Sequence, residues 1–287
     1  MTHTRTDLVA ILEAHGLKPS RALGQNFVVD PNTVRRIARL AEVGPGDLVL
    51  EIGAGLGSLT LALVETGAEV QAMEVDRYLL APLRSVVEPH GVTVHHADAL
   101  NANYNEILGG REAAIIANLP YNVATPLVLH LLESQPLIKR MLVMVQKEVG
   151  ERFAAQAGDE AYGAASLRVQ YFADAKVVGK IGPSVFYPKP NVDSALVSIV
   201  RRDSVRIDPN EVSEADLFEV IRMSFAQRRK MLRRSLNGWA SEGVFVAHLF
   251  HLYRVRELFR CEGASTWRGS FNESPLGDTS PQWGVLW

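Results

Sequence analysis

Between residues 47 and 146 the chain repeats one theme: a short apolar run that favours extended backbone, then a stretch with helical period. The runs are DLVLEIG (47–53), AEVQAMEV (68–75), VTVHHAD (92–98), AAIIANL (113–119) and RMLVMVQ (140–146), with SLTLALVET, RYLLAPLRSVVEP and ATPLVLHLLES between them. Runs that are apolar along most of their length, rather than at every second residue, need cover on both faces. Alternation with helices supplies that cover, so an α/β fold with a parallel sheet between helical layers is predicted. AKVVGKI (175–181) and ALVSIVRR (195–202) break the pattern. The loop between them, GPSVFYPKPNVDS, has no room for a crossover helix, so these two strands are predicted to pair antiparallel at the sheet edge. A further helix is predicted over 212–237.

Bulk properties narrow the function classes. With 287 residues the chain has room for one large domain and a small one. No apolar run approaches the roughly 20 residues that span a bilayer. The first residues carry Asp7 and Glu13 and lack a small-residue cleavage site, so a cytoplasmic protein is expected. A single cysteine, Cys261, excludes a disulfide framework and a thiolate zinc cluster. The net charge of −2 does not advertise nucleic-acid binding, but its distribution is uneven. Residues 222–234 read RMSFAQRRKMLRR, with six basic side chains and no acid. Alone, such a run is as readily a solvated helix face as a phosphate-contacting edge.

The first chemical motif is EIGAGLGSLT (51–60), which follows a strand and opens a helix. In that setting Gly53, Gly55 and Gly57 let the backbone turn tightly and approach a ligand. Glu74 ends the second strand, where a carboxylate can accept the hydroxyls of a ribose. Asp98 ends the third, where it can accept from an adenine amine. Either acid alone also reads as a helix cap or a surface charge. All three features at successive strand ends point to an adenosine-bearing ligand, equally NAD or S-adenosylmethionine.

Asn118-Leu119-Pro120-Tyr121, at the end of the fourth strand, suggests the chemistry. An adenine amine is a poor nucleophile because its lone pair is delocalised into the ring. Two acceptors on its hydrogens favour a tetrahedral, more nucleophilic nitrogen. The Asn118 side-chain oxygen and the Leu119 carbonyl can be those acceptors, with Pro120 fixing the chain direction after them. Tyr121 offers a ring on which a base can stack.

Together, GQNF (24–27), EIGAGLG, the acids Glu74 and Asp98, NLPYN (118–122) and PSVFYPKPNVDSALV (183–197) resemble the ribosomal RNA adenine dimethyltransferase family. NLPYNVATPL and FAQRRKMLRRSL are similar to its bacterial small-subunit branch more than to its large-subunit antibiotic-resistance branch. The motifs run from about residue 16 to 236. The resemblance implies a class I Rossmann-like methyltransferase fold: a seven-stranded, mostly parallel sheet whose last hairpin is antiparallel. It implies S-adenosylmethionine as cofactor and dimethylation of N6 on two adjacent adenosines of small-subunit ribosomal RNA. The partner would be the pre-ribosomal small subunit, met by a monomer.

The resemblance also implies roles. Asn26 and the backbone at Val28, where the family usually has leucine, would form a cofactor lid. Gly53 would approach the methionine part, Glu74 the ribose and Asp98 the adenine. Asn118 would face both the cofactor and the target amine, and Leu119 would lend its carbonyl. Tyr121 and Phe186 would stack on opposite faces of the target base, with Pro183, Pro188 and Pro190 stiffening the loop around Phe186. Transfer from a sulfonium leaves a neutral sulfur, so neither a metal nor a strong base is required. A core without cysteine also argues against pyrimidine carbon-5 methylation, which uses a thiolate. The competing readings are large-subunit RNA methylation, DNA adenine methylation and a non-catalytic RNA-binding assembly factor.

Three regions are expected: a methyltransferase domain over 1–205, a small helical RNA-contacting region over 206–260, and an atypical tail over 261–287. The tail is rich in Trp, Gly, Ser and Pro without amphipathic period, as an out-of-frame reading of a G+C-rich gene would be. It is expected to pack poorly.

Overall fold

The computed structural model describes residues 2–210 and 212–226. The chain opens with α1 (Arg5–Ala14), β1 (Phe27–Val28) and α2 (Pro31–Leu40). Strands and helices then alternate: β2 (Leu48–Ile52), α3 (Ser58–Val64), β3 (Glu69–Glu74), α4 (Leu80–Val87), β4 (Thr93–His96), α5 (Tyr104–Leu108), β5 (Ala113–Asn118), α6 (Ala124–Ser134) and β6 (Ile138–Gln146). There follow α7 (Lys147–Ala154), α8 (Ala164–Phe172), β7 (Ala173–Ile181), β8 (Phe186–Tyr187), β9 (Ser194–Arg201) and α9 (Glu214–Ala226).

Seven strands form one sheet in the order β4-β3-β2-β5-β6-β9-β7. β2 to β6 are parallel, and β9 runs antiparallel to both β6 and β7. The α/β class, the mixed sheet and its antiparallel pair agree with expectation. The structure adds that β9 inserts between β6 and β7, which leaves β7 at the edge. The helices α7 and α8 carry the chain across that gap before β9 fills it.

Both faces of the sheet are covered, as its apolar strands demand. Leu48, Leu50, Ile52, Ile115 and Val143 face one core with α6 and α8. Val49, Ala114, Ile116 and Leu142 face the other with α2, α3 and α4. The first core continues past residue 205: Ile207, Val212, Leu217 and Ile221 are buried in it. Phe218 of α9 meets Tyr171 edge-on, with ring centroids 5.4 Å apart. The described part of the C-terminal region thus packs directly on the sheet domain. Arg222, the first residue of the basic run, is paired with Glu219 one turn earlier at 2.8 and 2.5 Å. Residues 228–234 and the tail over 261–287 lie outside the described residues.

A second, two-stranded sheet was not foreseen. β1 and β8 pair antiparallel, Phe27 opposite Tyr187 and Val28 opposite Phe186. Strands of two residues have no period to detect.

Candidate active site

The site follows from strand register. Ile52 of β2 lies opposite Met73 of β3 and Ala117 of β5. The next residue of each strand, Gly53, Glu74 and Asn118, therefore emerges at one level on the carboxyl edge of the sheet. The strand order also reverses here, since β3 and β4 extend to one side of β2 and β5 and β6 to the other. Such a switch point leaves a crevice between the diverging connections. Gly53 has φ +75°, which side chains enter only with strain. Its amide donates to Met73 O at 2.9 Å and ties the loop to β3. Gly57 is needed for packing as well: a Cβ there would lie 2.6 Å from Val87 Cγ1.

The crevice is a cleft of about 320 Å³, within the range of small-molecule sites. Among the described residues, its charged lining side chains are Glu51, Glu74 and Asp98, all acids. That decides between the two adenosine ligands left open by the motifs. A dinucleotide brings a pyrophosphate, for which this lining offers no basic side chain and which the Glu74 and Asp98 carboxylates would repel. S-adenosylmethionine brings a sulfonium and an ammonium, which they attract.

Glu74 is almost fully buried. Its Oε2 accepts from Gly55 N at 2.8 Å, and its Oε1 from Val75 N at 3.0 Å and Asp76 N at 2.9 Å. Burial raises its pKa, and these bonds oppose the rise. Three of roughly four acceptor positions are in use, which leaves room for about one further donor. Glu74→Ala is expected to weaken cofactor binding by roughly 1.5–3 kcal/mol, the worth of a hydrogen bond to a charged group. Unchanged affinity by calorimetry would remove the ribose assignment. Asp98 is exposed at the cleft's edge, and its carboxylate accepts from Leu100 N at 3.0 Å and from Asn101 Nδ2 at 2.7 Å. It shapes its own turn and presents acceptor capacity to the cleft.

Glu51 is a site residue that motif reasoning passed over. It is 2% exposed, it lines the cleft, and its Oε2 accepts from Thr60 Oγ1 at 2.5 Å. Burial, opposed by Thr60 and reinforced by the Glu74 charge, pushes its pKa from 4.5 up to about 8. Its signal in the sequence is a lone acid inside an apolar strand, LVLEI. Between pH 4.5 and about 8 the folded chain holds a proton that the unfolded chain releases. Raising the pH through that window therefore favours unfolding. The stability tied to neutral Glu51 is complete below 4.5 and lost as the pH passes about 8. Glu51→Gln, which stays neutral, is expected to make the fall in melting temperature over this window shallower. An equally steep fall in the variant would show that Glu51 does not titrate there.

Asn118 reaches the cleft from the end of β5. Its Nδ2 donates to the Asn26 carbonyl at 2.8 Å. A carbonyl can only accept, so the amide nitrogen must face Asn26, and Oδ1 is left as the free acceptor. Leu119 is buried, and its amide is tied to Met144 O at 3.0 Å. Tyr121 is half-buried in the cleft wall, with its hydroxyl 3.0 Å from Ser194 Oγ. Burial raises its pKa, which keeps the phenol neutral. Ser194, fully buried at the start of β9, is a second residue that sequence reasoning missed. Asn26 and Val28 line the same cleft as Gly53.

Phe186 is not brought to the cleft. It is 2% exposed and packs in the core beside Val28, Ile181 and Leu196. Pairing of β8 with β1 turns this ring inward. Its neighbour Tyr187 is half-buried under the Arg5 guanidinium, 5.4 Å from the ring centroid. A role for Phe186 in stacking on a target base would require the ring to leave that core.

Comparison with known proteins agrees with this fold. Residues 16–266 match the family model described as ribosomal RNA adenine dimethylase, so the match continues past residue 236, where the recognisable motifs end. Relatives include ribosomal RNA small subunit methyltransferase A of Thermobifida fusca, 47% identical over 243 residues and 83% of each chain. The protein of the same name from Streptomyces griseus is 48% identical over 240 residues, 82% of this chain and 80% of the relative. Among solved structures, a dimethyladenosine transferase from Plasmodium falciparum has the same fold, with a TM-score of 0.63 and 24% identity over 82% of this chain and 83% of that one. The 23S rRNA methyltransferase ErmE follows at 0.62 and 26%, covering 78% and 89%. The chain belongs to the ribosomal RNA adenine dimethylase family, enzymes whose methyl donor is S-adenosylmethionine.

Proposed function

We propose that this enzyme dimethylates N6 of two adjacent adenosines in small-subunit ribosomal RNA, as a cytoplasmic monomer acting on the pre-ribosomal small subunit. The observation that carries the reading is the fixed Asn118 amide, whose free Oδ1 borders an acid-lined cleft. The small-subunit target is favoured over the large-subunit one by identity: 47–48% to the small subunit methyltransferases against 26% to ErmE.

When bound, S-adenosylmethionine supplies a methyl group on a positively charged sulfur. Glu74 and Asp98 would hold its ribose and adenine, and Gly53 would give its methionine part a close approach to the backbone. Asn118 Oδ1 and the Leu119 carbonyl would accept hydrogen bonds from the target amine and so localise its lone pair on the nitrogen. The proton that N6 loses in exchange for the methyl group would pass to water, so no side chain need act as a strong base. The target base must leave its stack to reach the cleft, and the Tyr121 ring receives one of its faces. Among the described residues no group of His, Cys, Asp or Glu is placed to hold a metal, and no helix is long and apolar enough to cross a membrane.

Labelled cofactor incubated with immature small subunits, followed by mapping of the modified base, tests the proposal. Label on two adjacent small-subunit adenosines is expected. Label only in large-subunit RNA would overturn it. For the base platform, Tyr121→Ala is expected to weaken productive RNA engagement by about 1–3 kcal/mol, the range for one base–aromatic stack. Cofactor affinity should hardly move. Tyr121→Phe, which keeps the ring and loses only the Ser194 bond, should stay near the parent. If Tyr121→Ala methylates RNA normally, this ring is not the platform.

A further inference from the structure

One residue of the GQNF segment has no part in the scheme above. Gln25 closes a turn on its own backbone: its Oε1 accepts from Ser20 N at 2.8 Å, and its amide donates to Ser20 O at 3.1 Å. That turn lies directly on the Asn118–Asn122 segment, since a Cβ on Gly24 would sit 3.2 Å from Pro120 Cβ. The other end of the Gln25 side chain reaches the turn after β3. Its Nε2 donates to Asp76 Oδ2 at 2.8 Å, in a partly buried bond between residues 51 apart in sequence. Asp76 belongs to the turn after β3, and its amide is one of the three that hold the Glu74 carboxylate. The residue after Gln25 supplies the carbonyl that orients the Asn118 amide. A continuous set of contacts therefore runs from Glu74 through Asp76, Gln25 and Asn26 to Asn118. A bond to a carboxylate is stronger than one between neutral partners, and in this set it is the side-chain bond that ties the turn at residues 20–25 to the turn after β3.

We propose that Gln25 is a positioning residue for methyl transfer: it clamps the lid turn to Asp76, holds the Asn26 carbonyl against Asn118, and so links the ribose side of the cleft to the orientation of the Asn118 amide. The inference rests on the reading of Asn118 as the group that activates the target amine.

Turnover of the full chain on immature small subunits, with cofactor affinity from calorimetry, separates the possibilities. Loss of a bond to a charged group corresponds to about a 10- to 100-fold change. Gln25→Ala is expected to lower kcat by that order, with a much smaller change in cofactor affinity. Because Gln25 acts through Asn118, Gln25→Ala should cost almost nothing further when added to Asn118→Ala. A mainly structural role would instead multiply the two losses and would overturn the proposal. Normal kcat in Gln25→Ala, with Asn118→Ala impaired, would overturn it while leaving the Asn118 reading intact. Normal turnover in Asn118→Ala would remove that reading and the clamp with it. A second pair guards against a variant that folds poorly. Asp76→Asn keeps an oxygen that can accept from Gln25 and should turn over well above Asp76→Ala. Equal rates in that pair would overturn the clamp.

Discussion

Asn118→Ala is expected to lower methyl transfer by about 100- to 1,000-fold, the usual cost of removing one preorganised acceptor or donor from a reacting centre. The magnitude depends on preorganisation. The Asn118 amide is already fixed by the Asn26 carbonyl, so its oxygen need not be reoriented when the target amine arrives. The fold should tolerate the change, because the side chain is only partly buried and the residue ends its strand. Single-turnover rates with saturating cofactor, beside an unchanged melting temperature, give the clean comparison. Near-parental turnover would mean that another group activates the amine.

Phe186→Ala is expected to act on stability. Truncating a buried phenylalanine costs about 3–5 kcal/mol, through lost transfer energy and the cavity left behind. In a chain of this size that corresponds to a fall of roughly 6–20 °C in melting temperature. The ring fills the space between β1, the end of β7 and β9, so its loss should also loosen the lid at Val28. Melting curves decide. A variant that melts like the parent but requires far more RNA for half-maximal rate would place the working position of Phe186 on the base instead.

Strand ends were legible in the sequence because β2 and β5 are apolar along nearly their whole length, and because glycine, acid and asparagine stand where β2, β3 and β5 stop. That these three ends lie level was not legible. It depends on register, which places Ile52 opposite Met73 and Ala117. The contacts that finish the site are long-range. Gln25 meets Asp76 across 51 residues, Tyr121 meets Ser194 across 73, and Asn118 meets Asn26 across 92. No local pattern encodes such partners. Phe186 marks the limit from the other side. Its prolines announced a stiff loop, but the direction of the ring was settled by pairing between strands too short to leave a period. Glu51 was within reach, since a carboxyl among four aliphatic residues in LVLEI requires a reason.

The β1–β8 ribbon has a consequence for the birth of the enzyme. The lid strand at Phe27 and Val28 leaves the ribosome early, but its partner at Phe186 and Tyr187 follows 160 residues later. At about 5–20 residues per second, that is a wait of roughly 8–32 s. Through that interval the glycine loop and Glu74 can already be folded, while the segment that roofs them has nothing to pair with. A nascent chain arrested short of β8 should therefore hold cofactor poorly and transfer no methyl groups. The order in which these strands are made would thus leave the glycine loop and Glu74 without their cover until the sheet itself is nearly complete.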